Sequence, residues 1–102
     1  MTLTTEISIV IPVLNEAKSL PRMLDLLSKQ TLKPREIIIV DAGSIDLTIE
    51  IINNWNIAHR DNQIKLIHNK GGMPGHNRNI GVEAASCEWI SFVDGGIYPE
   101  LD

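Results

Sequence analysis

Four short runs of apolar, largely β-branched residues divide the chain at fairly regular intervals. They are ISIVIPV (7–13), EIIIVD (36–41), IKLIHN (64–69) and EWISFVD (88–94). Most of them lack the strict alternation of apolar and polar residues that marks a strand with one face in water. Continuous apolar runs are typical of parallel strands covered on both faces. The runs therefore predict four parallel strands.

The segments between these runs have helical periodicity, with apolar residues spaced at i, i+3, i+4 and i+7 in the clearest case. The inward-facing residues are Leu20, Met23, Leu24 and Leu27 in the first segment, Thr48, Ile51, Ile52 and Trp55 in the second, and Ile80, Ala84 and Ala85 in the third, which runs from about 74 to 86. Ser19 is the expected N-cap of the first helix, and Ser44 or Asp46 that of the second. Gly81 permits a close approach of the third helix to the sheet.

The resulting order, β-α-β-α-β-α-β, predicts an α/β fold. Right-handed crossovers give a doubly wound, Rossmann-like layer, a mainly parallel sheet of about four strands with helices on both faces. A chain of 102 residues forms one domain at most, and we expect the sheet to be truncated after the fourth strand. Ligands of such sheets bind beyond the carboxyl ends of the strands.

Composition excludes several classes of function. The net charge of −4 and the scattered Lys and Arg residues argue against a nucleic-acid-binding surface. No run approaches the roughly 18 apolar residues of a membrane-spanning helix. The single cysteine, Cys87, forms no internal disulfide and is expected to be a small buried filler. With no secretion signal at the N-terminus, we expect a cytoplasmic protein.

Two aspartates, Asp41 and Asp94, end apolar strands at the same edge of the predicted sheet. A partly desolvated carboxylate is costly unless a donor, a cation or a metal compensates it. For Asp41, capping of an Asx turn is an equally good interpretation. Asp94 is followed by Gly95 and Gly96, which leave room for a ligand to approach the backbone.

The loop from residue 70 to 79 contains three glycines, His76 and Arg78. Backbone N–H groups at the start of the next helix, together with Arg78, could hold a phosphate. A surface salt bridge is an equal alternative for Arg78. The loop is not a phosphate-binding Walker A loop, and no G-x-G-x-x-G follows the first strand. His68 and His76 lack metal-ligand spacing and are expected to be structural or solvent-facing.

Several separate blocks agree in order and spacing with a known family. The stretches SIVIPVLNEAKSLPRMLDLLSKQTLKPREIIIVDAGSIDLT and NRNIGVEAASCEWISFVDGG resemble the family 2 glycosyltransferases of the GT-A group, which transfer sugars from nucleoside diphosphate donors. The resemblance covers essentially the whole chain. It implies that residues 1–102 are the donor-binding half of a GT-A domain and are inactive alone. No catalytic residue is implied within them, because Glu100 and Asp102, the candidate bases near the end, belong to no predicted helix or strand.

The resemblance also implies which residues bind the nucleotide sugar and the metal ion. Nucleotide-sugar-binding residues would be Pro12, Val13, Asn15, Glu16, Asp41, Gly43, Ser44, Arg78 and Asp94. Asp41 would accept a hydrogen bond from the base, and Glu16 from donor hydroxyls. Asp94 matches the first acid of the family's Asp-x-Asp metal motif, but two glycines replace the second acid. The implied divalent cation, Mn²⁺ or Mg²⁺, would therefore be weakly held.

Two other classes of function compete with this interpretation. An exposed sheet edge and apolar helix faces would suit a non-catalytic module that forms homo-oligomers. A phospho-receiver domain would also use acids at strand ends, but it would need a paired acid after the first strand and a late lysine on a fifth strand.

Overall fold

A parallel sheet of four strands forms the centre of the chain, in the order β5-β4-β2-β6. The computed structural model describes residues 3–4, 6–30 and 32–93. The elements within these ranges are β1 (Leu3–Thr4), β2 (Ile7–Val13), α1 (Leu20–Ser28), β3 (Leu32–Lys33), β4 (Glu36–Asp41), α2 (Thr48–Ala58), β5 (Ile64–His68), α3 (Pro74–Ala84) and β6 (Trp89–Phe92). The predicted α/β fold is confirmed.

The strand order creates a switch point in the sheet. The chain runs outward from β2 through β4 to β5 and then returns to place β6 on the other side of β2, with every neighbouring pair parallel. The connection after β2 leads to β4 on one side, whereas the connection after β5 leads back to β6 on the other side. In open α/β sheets, ligands bind at such a switch point, beyond the carboxyl ends of the strands.

Helices cover both faces of the sheet because alternate strand residues point to opposite sides. Ile9, Ile11 and Val13 of β2 belong to a core that also contains the predicted apolar stripe of α1 and Ile52 of α2. Val10, between them in sequence, belongs to a second core beneath α3. All four residues of the α1 stripe are buried, so the helical periodicity located the inner face correctly.

Gly81 allows α3 to lie directly on β2. A Cβ atom placed on Gly81 would stand 2.3 Å from Cγ1 of Val10, closer than any real contact. Ile80, Ala84 and Ala85 complete the contact of this helix with the sheet. The predicted close approach is therefore confirmed.

The helix starts differ in detail from the expectation. Ser19 occupies the N-cap position of α1, but it makes no side-chain capping bond, because its helical backbone angles keep the hydroxyl from the first free N–H groups. The hydroxyl lies 3.1 Å from the Glu16 carboxylate instead. At α2, Asp46 accepts the Thr48 N–H at 2.9 Å, whereas Ser44 turns to other partners.

The sheet ends also differ slightly from the predicted runs. β6 covers Trp89–Phe92, less than the predicted run at 88–94, and Asp94 lies outside the described residues. The short parallel pair β1–β3 was not predicted, because two residues per strand carry no pattern. In the described part of the chain, no helix is long and apolar enough to span a bilayer.

Candidate functional site

The loops that follow β2 and β4 are fastened to each other across the carboxyl edge of the sheet. The backbone N–H of Asn15 donates to Ser44 Oγ (2.9 Å), and Asn15 Oδ1 accepts the N–H of Ile45 (2.8 Å). Asn15 has a φ of +53°, a left-handed conformation that Asn tolerates better than most residues. Its side chain therefore helps to hold the two loops together.

A second pair of hydrogen bonds continues this junction toward α2. The N–H of Glu16 donates to Thr48 Oγ1 (3.0 Å), and that of Ala17 donates to Asp46 Oδ2 (3.1 Å). The hydroxyl of Thr48 is the main cause of the lowered pKa of Asp46, and backbone N–H groups add to the effect. Asp46 thus remains ionised while it joins the start of α2 to the first loop.

Asp41 lies at the end of β4 with only 2% of its surface exposed. Its carboxylate accepts the N–H of Gly43 (3.0 Å) and both the N–H and the hydroxyl of Ser44. The ring of His68 approaches the same carboxylate, with 3.8 Å between Nδ1 and Oδ2. The Asx-turn interpretation describes the local geometry of Asp41 well, and three donors already stabilise its buried charge.

A cavity of about 360 Å³ opens beside this turn. Its lining residues are Asp41, Gly43, Ser44, Ile45, Ile49, His68 and Lys70. They come from the end of β4 and the loop after it, the first turn of α2, and the end of β5 with its following loop. The cavity thus lies beyond the carboxyl ends of two parallel strands, where ligands of such sheets bind.

The loop between β5 and α3 is held by a buried amide pair. Asn77 is 1% exposed, and its Oδ1 accepts a hydrogen bond from Asn69 Nδ2 (2.7 Å). Gly72 lies against this pair, because a Cβ at that position would stand 2.2 Å from Asn77 Oδ1. Gly72 therefore makes room for this fixed polar contact.

Three of the predicted site residues, Asp41, Gly43 and Ser44, line the cavity, and others lie along the same edge of the sheet. Val13 is paired with Asp41 in the sheet register, and Pro12 precedes it on β2. The other members along this edge are Asn15, Glu16, Gly43 and Ser44. Arg78 is half-buried on α3 and does not line the cavity beside Asp41. Asp94 lies outside the described residues, so its role stays a prediction.

Three residues near the site were not assigned to it from the sequence. His68 and Lys70 line the cavity, and Asn77 holds the loop that contains Lys70. His68 was expected to be structural or solvent-facing, and it is indeed 64% exposed at its side chain, although beside Asp41. The sequence offered a signal for Lys70, which directly follows the predicted strand run 64–69, but none for Asn77.

Metal ligands are sparse in the part of the chain that the structure describes. Within residues 3–4, 6–30 and 32–93, no three His, Cys, Asp or Glu side chains converge on one point. The metal contact expected of Asp94 lies outside these residues and stays a prediction.

The sheet order, the cavity at its carboxyl edge and the solved structures that match them define the class of the chain, a GT-A glycosyltransferase fold. The structure of S. aureus TarS 1-349 in complex with UDP-GlcNAc matches with a TM-score of 0.77 at 27% identity, over 92% of this chain and 27% of that one. The mannosyltransferase PcManGT from Pyrobaculum calidifontis, in complex with GDP-Man and Mn²⁺, matches with a TM-score of 0.81, over 91% of this chain and 28% of that one. Its 23% identity supports the fold alone.

The family follows from the sequence comparison. The model of glycosyl transferase family 2 matches residues 8–96, and the chain belongs to this family. It is 38% identical over 92 residues to the uncharacterized glycosyltransferase EpsJ of Bacillus subtilis, covering 90% of this chain and 26% of EpsJ. It is also 38% identical over 90 residues to glycosyltransferase GlyG of Streptococcus pneumoniae, covering 86% of this chain and 29% of GlyG. The chain thus spans less than a third of these curated relatives.

Proposed function

We propose that residues 1–102 are the donor-binding part of a glycosyltransferase that transfers a sugar from a nucleoside diphosphate sugar to an acceptor. The cavity beside Asp41 carries this proposal, because it lies at the ligand-binding edge of the fold and is bounded by loops already fixed by hydrogen bonds. Fixed loops lower the entropy lost when a ligand binds. The TarS structure with UDP-GlcNAc supports the choice of ligand class.

Asp41 is the proposed contact for the base. A carboxylate offers about four acceptor positions, and the turn occupies three of them with donors from Gly43 and Ser44. The remaining position would accept a ring N–H, which uracil, thymine and guanine all provide. Pro12 and Val13 would flank the nucleoside at the end of β2.

The other predicted contacts complete the proposed donor site. Glu16 would accept hydrogen bonds from donor hydroxyls, in addition to the one it receives from Ser19. Asn15 would shape the wall of the donor site through its hydrogen bond with Ile45, and Arg78 would lie near the phosphates of the donor. We propose that the chain alone binds the donor without turning it over, since none of its residues is proposed as the general base. We also propose a cytoplasmic location, with which its single unpaired cysteine is consistent.

Titration calorimetry with UDP, GDP and their sugars tests the proposed function. We expect weak, saturable binding, because a small open cavity buries only part of a nucleotide sugar. Each ligand is titrated with and without Mn²⁺ or Mg²⁺. Absence of saturation at millimolar concentrations of every ligand would contradict the proposal.

Asp94 is the proposed protein ligand of a weakly held Mn²⁺ or Mg²⁺. Such an ion would neutralise charge on the donor diphosphate, whose oxygens would supply further ligands. We predict that Asp94→Asn leaves the melting temperature nearly unchanged and abolishes any Mn²⁺-dependent gain in nucleotide affinity. A variant that melts several degrees lower while it binds nucleotide as before would show a structural role instead.

A second candidate function, assembly into homo-oligomers, is favoured by the edge strand β6. Trp89 and Phe92 are 68% and 50% exposed there, on opposite faces of the strand. Light scattering over a dilution series tests this candidate. Association that weakens in Trp89→Ser but not in Ile57→Ser, a control residue 69% exposed on α2, would support it. A monomer at every concentration would remove it.

A further inference from the structure

The loop after β5 is tied to the end of β4 on both sides of Lys70. The N–H of Asn69 donates to the carbonyl of Asp41 (2.8 Å), and the N–H of Gly71 donates to the carbonyl of Ala42 (2.8 Å). These bonds continue the parallel pairing of β4 and β5 beyond the last strand residue. The backbone of Lys70 is therefore held beside the turn that Asp41 forms.

The side chain of Lys70 lies against Gly43, which belongs to that turn. A Cβ placed on Gly43 would lie 3.1 Å from Cγ of Lys70. Lys70 and Asp41 line the same cavity. One cavity is thus lined by a carboxylate, which only accepts hydrogen bonds, and by an ammonium group, which has three donors and no acceptor.

The ammonium group of Lys70 has no partner in the part of the chain that the structure describes. Within residues 3–4, 6–30 and 32–93, it forms no hydrogen bond or ion pair, whereas Lys29 pairs with Asp25 and Lys65 reaches a carbonyl of α3. Its side chain is exposed. The donors of Lys70 are therefore available to a ligand in the cavity.

The order of the strands determines which part of a nucleotide lies near Lys70. The sheet runs β5-β4-β2-β6. In the proposed donor site, the base contacts Asp41 at the end of β4, hydroxyls contact Glu16 after β2, and the diphosphate lies near Asp94, which follows β6 in sequence. Ribose and diphosphate then extend from β4 toward β6. Lys70, after β5, lies on the opposite side of the base.

We infer that Lys70 donates a hydrogen bond to a keto oxygen of the base, the one next to the ring N–H that Asp41 accepts. The inference rests on the proposed donor-binding function and adds a contact that selects the base. In uracil this oxygen is O4, because O2 lies beside the ring nitrogen that carries the ribose. A hydrogen bond from an ammonium group is stronger than one between neutral groups. Cytosine has an amino group in place of O4, to which Lys70 cannot donate, so the contact favours uracil.

A titration that varies both the lysine and the keto oxygen tests this contact. UDP, uridine and 4-thiouridine 5′-diphosphate are titrated by NMR, without divalent cation, into wild type, Lys70→Met, Lys70→Arg and the control Lys18→Met. Methionine keeps an aliphatic stem against Gly43 but removes the charge. Sulfur accepts hydrogen bonds weakly, so the thio analogue weakens this contact and keeps the ring N–H and the phosphates. Lys18 is also exposed but does not line the cavity.

We expect Lys70→Met to bind UDP and uridine more weakly by the same factor, about three- to tenfold, because the lost contact is to the base. Wild type should prefer UDP to the thio analogue by a similar factor, and Lys70→Met should bind the two equally. Lys70→Arg should retain most of the UDP affinity, and Lys18→Met should match wild type.

Three results would overturn the inference while leaving the donor-binding function intact. They are equal UDP affinity of Lys70→Met and wild type, a loss for UDP without a loss for uridine, and a preference for UDP over the thio analogue that is absent in wild type or persists in Lys70→Met. A wild-type chain that binds no nucleotide would overturn both the inference and the proposed function.

Discussion

Asp41 shows how one buried side chain can both hold a turn and line a cavity. Its carboxylate holds Gly43 and Ser44 in place, and Ser44 in turn accepts the N–H of Asn15 from the neighbouring loop. The charge is tolerated at 2% exposure because each bond to it comes from a fixed donor. Any contact of Asp41 with a base would thus use a carboxylate whose position is set before the ligand arrives.

We predict that Asp41→Asn destabilises the fold. Asparagine has one acceptor oxygen, so its NH₂ group would face an N–H or O–H donor of the turn. We expect a loss of about 1–3 kcal/mol in the free energy of unfolding, measured by urea denaturation. Asp25→Asn, which removes an exposed i,i+4 pair with Lys29, should cost at most about 0.5 kcal/mol. Equal midpoints for the two variants would contradict the structural role of Asp41.

Gly81 makes the close contact of α3 with the sheet possible. Gly81 leaves no space between the helix backbone and Val10, whose branched side chain cannot swing away. The same helix begins just after the loop that contains Lys70, so its seating on the sheet also affects the position of that loop.

We predict that Gly81→Ala costs about 1–3 kcal/mol through overpacking. In the Val10→Ala background the same substitution should be much less destabilising, because the clashing methyl groups are gone, and a double-mutant cycle measures this coupling. Gly75→Ala, in the same helix with nothing within 4 Å of the added Cβ, should be neutral or stabilising. Additive effects of the Gly81 and Val10 substitutions would refute the contact.

The four strands of the main sheet and the three helices could be predicted from sequence because each has a local pattern. Apolar runs located the four main strands within one or two residues, and the spacing of Leu20 to Leu27 located the buried face of α1. The junction between Asn15 and Ile45 could not be predicted, since its partners are 30 residues apart and neither has a distinctive neighbour pattern. For the same reason, the sequence could not show that Lys70 lines the cavity, because its loop must first fold over β4.

At the scale of the whole molecule, Glu36 joins three elements at the end of the sheet opposite the site. Burial acts to raise its pKa, but hydrogen bonds from the Ser8 hydroxyl and from the backbone and side chain of Ser86 outweigh burial and lower it. The amide of Cys87 donates to Ser8 Oγ, which extends the network beyond α3. Ionised Glu36 thus stabilises the packing of β2, β4 and the segment after α3.

We predict a loss of stability in acid. Because the pKa of Glu36 is lower in the folded state than its ordinary value of 4.5, its contribution is complete above about pH 4.5 and disappears as the pH falls through the folded pKa. Glu36→Gln should be less stable than wild type at neutral pH and should lose less stability on acidification, as followed by urea midpoints. Glu83→Gln, an exposed control on α3, should follow the wild-type curve. Parallel curves for Glu36→Gln and wild type would contradict the assignment.

The central claim is that this family 2 glycosyltransferase chain binds a nucleotide at the carboxyl edge of its sheet. A ¹H–¹⁵N NMR titration of the labelled chain with UDP tests it most directly, because the chain has a second cavity, of about 500 Å³, near Arg35, Trp55 and His59, as an internal control. The account predicts saturable shifts of Gly43, Ser44 and the amides from 68 to 71, with none around Trp55. Shifts confined to the cavity at Trp55, or no saturable shifts at all, would contradict it.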